Sequence, residues 1–415
     1  MDLDSRLATS DISLMLQLEE ARKKILEKIQ PLGSEIIPLP TSFQRVLAEE
    51  IMAPVDLPPF DNSAMDGYAV QSKDLILARD DSPISLRLIG KIAAGEFISS
   101  PLKIGTCVRI FTGSPLPPGA DAVVMQEEIS LESAHPEKIF FHENVRPGEN
   151  IRHRGEDVRK NSVLLQAGCR LTAGRITLLA AAGIKTVRVG CQPLVGLLAT
   201  GSELLEAGQP LSPGKIYESN RIGLAVLIRQ VGAIPKIYPL VPDDFASTKI
   251  ALEKAFAECD LVLTSGGVSV GEFDFVKIAF EKFGGALSFW KIAMKPGKPF
   301  VFGQWREKFL FGLPGNPISA LVTFLLLGRA ALLALQGASE LLLPCSGGFL
   351  AEALINNGER PHFMRVKMDR EGQVVSAGIQ ASHILSALAG ANGLVEVPAQ
   401  TTFPVGKKVA VLQWE

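Results

Sequence analysis

The sequence predicts a multidomain chain of mixed α/β and β type. A central doubly wound α/β domain is flanked by β-rich domains, with a small barrel or sandwich at the C-terminal end. Three observations predict it. Strand and helix patterns alternate over residues 191–340, the mark of a mostly parallel sheet with helices on both faces. Short apolar runs broken by Gly, Pro and Asn fill residues 85–141, and the same texture returns over residues 341–415. At 415 residues and 47% apolar content, the chain has material for about two to four separate cores.

In chain order, Ser10 or Asp11 caps a predicted helix over residues 12–30, whose Leu14, Leu18, Ala21, Ile25 and Ile29 approximate one apolar stripe. Pro31 and Gly33 end it. A second short helix is predicted over residues 42–51. The segment from Asp56 to Val70 carries two prolines, then turn formers at Asp61-Asn62 and Asp66-Gly67, and reads by composition as a surface loop leading into a strand. Thr112 closes the run CVRIF and opens a stiff Pro- and Gly-rich loop. Arg152, His153 and Arg154 are open to two readings, an anion clamp or a solvated charged face. Thr172 caps a predicted helix stopped by Gly183.

Within residues 191–340, predicted strands end at Thr200-Gly201-Ser202-Glu203, Pro242-Asp243-Asp244, Ser265-Gly266-Gly267 and Leu313-Pro314-Gly315-Asn316. Predicted helices follow at 219–232, 246–258, 275–283 and after Pro317, where Asn316 is the expected cap. Ligands of open α/β sheets bind beyond the carboxyl ends of the strands, so these four turns are expected on one rim. Adjacent glycines let backbone N–H groups approach an anion, and a following helix start adds partial positive charge. The acids Glu272 and Asp274 follow, and Lys291, Lys295 and Lys298 come soon after. The spacing G-G-x-x-x-G matches neither a Walker loop nor a dinucleotide fingerprint. Beyond residue 341, Ser382-His383 precedes a short predicted helix as cap or ligand contact.

Composition excludes several classes. A net charge of −2 argues against broad nucleic-acid binding. Five scattered cysteines without C-x-x-C argue against a zinc ribbon, a thioredoxin-like centre or a secreted disulfide framework. Five histidines form no H-x-x-x-H pair. The acidic start is unlike a signal peptide, and the apolar run 320–335, broken by Gly328 and Arg329, reads as too short to span a bilayer. A cytoplasmic protein with no membrane association is expected.

Eight strings occur in one order: PPFDNSAMDGYAV, RIFTGSPLPPGADAVVMQEE, NIRHRGEDV, LATGSELL, IYESNR, TSGGVSVGEFD, WKIAMKPGKPFVFG and GLPGNPISA. They resemble the MoeA family of molybdopterin molybdenumtransferases, related to the C-terminal part of gephyrin, from about residue 12 onward. The resemblance implies four parts: a discontinuous linker and dimerisation domain (1–55 and 156–190), a β-rich domain (56–155), a molybdopterin-binding α/β domain similar to MogA-type adenylyltransferases (191–341) and a C-terminal β domain (342–415). It implies Mg2+-dependent insertion of molybdate into adenylyl-molybdopterin with release of AMP. By position it carries functional acids onto Asp66, Glu203, Asp243 and Asp274, lysines onto Lys291 and Lys295, and further site roles onto Thr112, Arg152 and Ser382. Arg365 is a looser transfer. It also implies a homodimer in which Asp66 and Thr112 complete the partner subunit's site, with a MogA-type adenylyltransferase and molybdoenzymes as further partners. Ser202 stands where family members often have Asp, which lowers the local negative charge.

Joined to the physics, Glu203, Asp243 and Asp274 are expected to hold Mg2+, and Ser265, Gly266 and Gly267 to cradle phosphate, with Pro314, Gly315 and Asn316 beside them. Lys291 and Lys295 are expected to neutralise the leaving group and attract molybdate. Two other readings stay open: the adenylating enzyme itself, and a molybdopterin-binding scaffold without activity. Molybdate and tungstate are not separable by sequence.

Overall fold

The computed structural model describes residues 15–267 and 275–414. Its central sheet has six strands in the spatial order Ile234–Ile237, Leu194–Ala199, Leu261–Ser265, Lys308–Leu313, Pro299–Trp305 and Ala286–Lys291. The first four run parallel, with Leu197 beside Leu263 and Leu263 beside Phe311. The last two fold back antiparallel. Helices Asn220–Gln230, Phe245–Glu258 and Phe275–Lys282 connect the strands, and Pro317–Thr323 follows the last of them in the chain. Strand Leu261–Ser265 is buried at every position, as a central parallel strand covered on both faces requires. Asp244 caps its helix through Oδ1, which accepts from Ser247 N at 2.8 Å. Asn316 occupies the cap position before Pro317, but its side chain makes no cap bond.

The helical run from Pro317 continues through a π-helical turn, Phe324–Gly328, into Arg329–Leu335. Its 19 residues and mean hydropathy of 2.2 are enough for a bilayer, contrary to the expectation that the stretch is too short. Burial accounts for the composition instead: 83% of its apolar window lies inside the protein. It packs in the largest core with strands of the central sheet, with Ala21 and Ile25 of helix Leu18–Leu26, and with Phe363 and Leu394 of the last domain.

The predicted β-rich region forms a second six-stranded sheet. Its spatial order is Ala122–Met125, Gly67–Val70, Thr106–Ile110, Ile84–Ile92, Lys138–Phe141 and Ile129–Leu131. The C-terminal region is a closed five-stranded barrel, Cys345–Leu350, Gln373–Ser376, His362–Met368, Gly393–Val397 and Lys408–Gln413. Between the first two sheets, Ser34–Pro38 pairs with Thr186–Gly190, and Ile51–Met52 with Val163–Leu165.

Two local expectations are corrected. Residues 42–51 form no helix. Leu47 N donates to Cys169 O at 2.9 Å, Ala48 N donates to Arg188 O at 2.9 Å, and Val46 and Leu47 are fully buried, so pairing with distant chain overrides local propensity. The N-terminal helix, expected over 12–30, runs Leu18–Leu26: residues 15–17 and 27–30 are not helical, Gln17 makes no side-chain cap bond, and Ser10 and Asp11 lie outside the described residues. All five cysteines are free thiols.

Candidate functional site

The predicted rim turns meet. Thr200, Gly201, Glu203, Asp243, Ser265, Gly266, Gly267, Gly315 and Asn316 all line one cleft of 360 Å³ at the carboxyl ends of the parallel strands. Backbone conformation explains the glycines. Gly266 and Gly267 have φ of +88° and +66°, which an L side chain rarely adopts. A Cβ at Gly266 would meet Thr200 O at 2.6 Å, and one at Gly267 would meet Val276 Cγ2 at 2.7 Å. The turn is thus pressed against the neighbouring strand end. Pro314 is buried and does not line the cleft, so its part is to shape the turn.

Asp243 accepts from Ser202 N through Oδ2 at 2.8 Å, and its own N donates to Ser202 Oγ at 3.2 Å. Ser202, a departure in sequence, therefore ties the acidic loop to Asp243. Lys215 Nζ donates to Ser202 O from the loop that follows. Asp274 lies outside the described residues. Among the described residues no group of three or more His, Cys, Asp or Glu side chains could hold a metal ion. Three carboxylates line the cleft with the glycine turn, Glu203, Asp243 and Glu218, and the last is buried and paired with Arg221.

Sequence reasoning missed what fastens this cleft. Asn220 is buried, and its Nδ2 donates to Ser265 Oγ at 2.5 Å and to Gly315 O at 2.7 Å, bolting two strand-end turns together. Its place in IYESNR suggests a helix cap, but Ser219 holds the cap position and makes no cap bond. The neighbouring Arg221 is fully buried. Its Nε donates to Glu218 Oε2 at 2.9 Å and its Nη2 to Glu206 Oε1 at 2.8 Å, which anchors the 204–218 loop, whose ends pair as two short parallel strands, at the cleft wall. A buried arginine at a polar position was the available signal.

Lys291 and Lys295 do not line that cleft. Lys291 ends its strand opposite Pro299. Lys295 N donates to Pro361 O at 2.8 Å, and Phe363 N donates to Lys295 O at 2.7 Å, so the lysine loop adds to a barrel strand. A second cleft of 650 Å³ opens there, lined by Lys295, Asn356, His362, Gln380, Ser382 and His383 among others. Ser382 and His383 cap no helix, since Leu385–Ala389 starts after Ile384. Arg365 is fully buried under this wall. Its Nη2 donates to Ile379 O at 2.8 Å and Ala381 O at 3.2 Å, while Nε and Nη1 have no partner. His362 Nε2 is likewise buried without a partner. Burial, and the charges of Lys295, Arg365 and Arg360, push the His362 imidazole down to about 4.

The third group sits on the β-rich sheet. Asp66 Oδ1 accepts from both N and Oγ1 of Thr112, each at 2.8 Å, and these bonds hold its carboxyl below the usual range. The segment before it is no free loop. Asn62 and Ser63 pair with Arg152 and Ile151 on one side, and Gly113 N donates to Ser63 O at 2.8 Å on the other. Asp66, Thr112 and the exposed Arg152 are therefore gathered around one extended segment, and none of them lines either cleft of its own chain.

Comparison with known proteins covers most of the chain. The family model for the MoeA N-terminal region (domain I and II) matches residues 16–183, that for a probable molybdopterin binding domain matches 196–334, and that for the MoeA C-terminal region (domain IV) matches 348–414. The molybdopterin molybdenumtransferase of Haemophilus influenzae is 41% identical over 384 residues, 91% of this chain and 93% of that protein. The molybdopterin molybdenumtransferase of Bacillus subtilis is 34% identical over 410 residues, 96% of this chain and 94% of that protein. The crystal structure of the molybdopterin biosynthesis moeA protein from Pyrococcus horikoshii OT3 matches with a TM-score of 0.83 at 33% identity, covering 96% of this chain and 100% of that one.

Proposed function

Since this chain belongs to the MoeA family and is a transferase of molybdenum cofactor biosynthesis, we propose that it inserts molybdate into adenylyl-molybdopterin and releases AMP and Mo-molybdopterin. The observation that carries the proposal is the cleft in which the Gly266-Gly267 turn faces Glu203 and Asp243. Phosphoanhydride cleavage asks a protein for positioning and charge neutralisation more than for covalent chemistry. The glycine turn offers the Gly267 N–H to phosphate, Gly266 N being spent on Leu313 O at 3.2 Å, and Asn220 keeps that turn in register with Gly315.

The donor set fits magnesium, which takes one or two carboxylates, keeps several waters and accepts phosphate oxygens. Asp243 spends Oδ2 on Ser202 and has Oδ1 to offer, beside Glu203, with Asp274 as the third ligand we assign. When bound, the ion supplies charge neutralisation on the diphosphate. Lys291 and Lys295 offset charge on the departing AMP, and Lys295 with Ser382 receives the molybdate dianion in the second cleft. Arg365 backs and His362 lines that cleft without any carboxylate bond of their own, and the one carboxylate in the lining, Glu352, accepts from Ser376 N, so the unpartnered nitrogens favour an oxyanion there. Asp66, Thr112 and Arg152 act on the cleft of a second copy in a homodimer. The chain receives its substrate from a MogA-type adenylyltransferase and passes its product to molybdoenzymes.

The test is AMP release from purified adenylyl-molybdopterin with Mg2+, with and without molybdate, for the native chain, Asp274→Ala and Asp243→Asn. Molybdate-dependent release that both substitutions abolish supports the proposal. A native chain that binds the adenylylated pterin and never releases AMP sinks it, and a scaffold role takes its place.

A further inference from the structure

A third cavity, of 210 Å³, lies where helix Asn220–Gln230, the helical run after Pro317 and the last barrel strand meet. It shares no lining residue with either cleft described above. Its polar lining is Arg170, Arg329, Gln230 and Gln413, with no carboxylate.

Both guanidiniums are underused. Arg170 Nη2 donates to Gln230 O at 2.9 Å, and its Nε is buried with no partner. Arg329 Nη1 donates to Leu341 O at 2.9 Å and Leu342 O at 2.8 Å. A guanidinium carries five N–H donors, so most of this pair's capacity is unspent on the protein. Burial lowers Arg170, and burial together with the adjacent Arg170 charge lowers Arg329 to about 10. A nearby acid would push the other way. Gln413 adds a donor, because its Oε1 accepts from Ser346 Oγ at 2.9 Å and leaves Nε2 for another partner.

Two like charges in one half-buried cavity repel and are poorly hydrated, and an anion with several oxygens relieves both costs. We infer that this cavity binds a small tetrahedral oxyanion of the phosphate, sulfate or molybdate type, held between Arg170 and Arg329 with Gln413 as third donor. The inference does not rest on the proposed reaction. If the arginines served only to clamp backbone carbonyls, they would need no ligand.

Equilibrium dialysis of the full chain against radiolabelled inorganic phosphate at fixed ionic strength tests it. The Lys295→Ala chain is used, so that the other basic cleft does not contribute. It is expected to bind one phosphate in this cavity, beyond any held by the strand-end cleft, and sulfate and molybdate displace it. Arg170→Met is expected to weaken that binding at least about ten-fold, the effect of one charge-assisted contact. Gln413→Glu keeps the size of the side chain and its acceptor toward Ser346 Oγ while replacing the Nε2 donor with an internal anion. It is expected to lower the phosphate stoichiometry by one per chain and to raise the melting temperature in phosphate-free buffer. Should Arg170→Met fail to fold, Gln413→Glu decides alone. A Lys295→Ala chain that binds no phosphate, or binding that Gln413→Glu leaves unchanged, overturns the inference.

Discussion

The strand-end cleft and the cleft beside the barrel are made of opposite materials. The first presents exposed carboxylates, Glu203 and Asp243, and backbone from glycine turns. The second presents Lys295 and Ser382 in front of two buried bases, His362 and Arg365, whose spare nitrogens find no protein partner. The first suits a hydrated cation and a diphosphate, and the second suits an oxyanion. What the contrast teaches is that one chain can keep two opposite charge environments on different domains. The lysine loop joins the two, since it leaves the α/β sheet at Lys291 and docks on the barrel at Lys295.

The sharpest way to break this division is to cross it. Lys295→Ala is expected to lower turnover about 10²–10³-fold, the usual cost of removing one donor aimed at developing negative charge. It should raise the KM for molybdate and leave the affinity for the adenylylated pterin nearly intact. Glu203→Gln should do the reverse, weakening the magnesium dependence and sparing the molybdate KM. Steady-state kinetics varying each component separately measure both. If both substitutions move the same constant, the two clefts are one site and the contrast fails.

A second effect, nearly as large, belongs only to the basic cleft. The His362 ring stays neutral in the folded chain down to about 4, whereas in the unfolded chain it protonates near 6.5. The unfolded state therefore binds more protons over that interval. Stability from this group is complete above pH 6.5 and is lost as pH falls toward 4, by up to about 3 kcal/mol. His362→Gln should remove this part of the acid slope. Urea melts of both chains at pH 7.5, 5.5 and 4.5 give the difference directly. Parallel slopes would mean that the positive groups facing His362, namely Lys295, Arg365 and Arg360, do not set its charge.

On the acidic side the comparable weak point is a neutral side chain. Asn220→Ala strips a bond from Ser265 Oγ and another from Gly315 O, at an expected cost of about 1–3 kcal/mol of stability and some loss of phosphate affinity. Asn220→Asp should be worse for binding than for size reasons alone, because it turns a carboxylate toward a carbonyl oxygen. Thermal melts and nucleotide binding of the two variants separate these terms. Equal behaviour would show that the turns hold themselves in register without the cross-link.

These two clefts differed just as much in how legible they were. Strand ends, paired glycines and neighbouring acids are local signals, so the sequence marks Ser265, Gly266, Gly267, Glu203 and Asp243, and strand-helix alternation puts them on one rim. Asn220 escaped because its function depends on two turns far from it in sequence. The meeting of Lys295 with His362 and Ser382 depends on docking between domains, which no periodicity records. Residues 42–51 were misread for a related reason: Val46 and Leu47 are buried by pairing with chain near residues 170 and 189. The antiparallel return of Pro299–Trp305 and Ala286–Lys291 was equally silent, since an apolar run does not state its direction.

The smallest expected effect concerns the third group, and it asks whether Asp66 is set up for chemistry or only for structure. Thr112 gives Asp66 Oδ1 two bonds, one from its backbone and one from its hydroxyl. A depressed carboxylate contributes stability that is present above its unfolded pKa of about 3.9 and is lost as pH falls through the lower folded value. Thr112→Val removes only the hydroxyl donor, so the Asp66 pKa should rise part of the way back while the backbone bond keeps it below the free value. A carbon-13 NMR titration of the Asp66 carboxyl reads this without depending on activity. Stability at neutral pH should scarcely change, because both side chains lie at the surface. Turnover should fall all the same if Asp66 must stay ionised and aimed at the cleft of a second copy. A shifted pKa with unchanged turnover would make the Asp66–Thr112 pair a turn-stabilising contact and leave the two clefts of a single chain to account for the reaction.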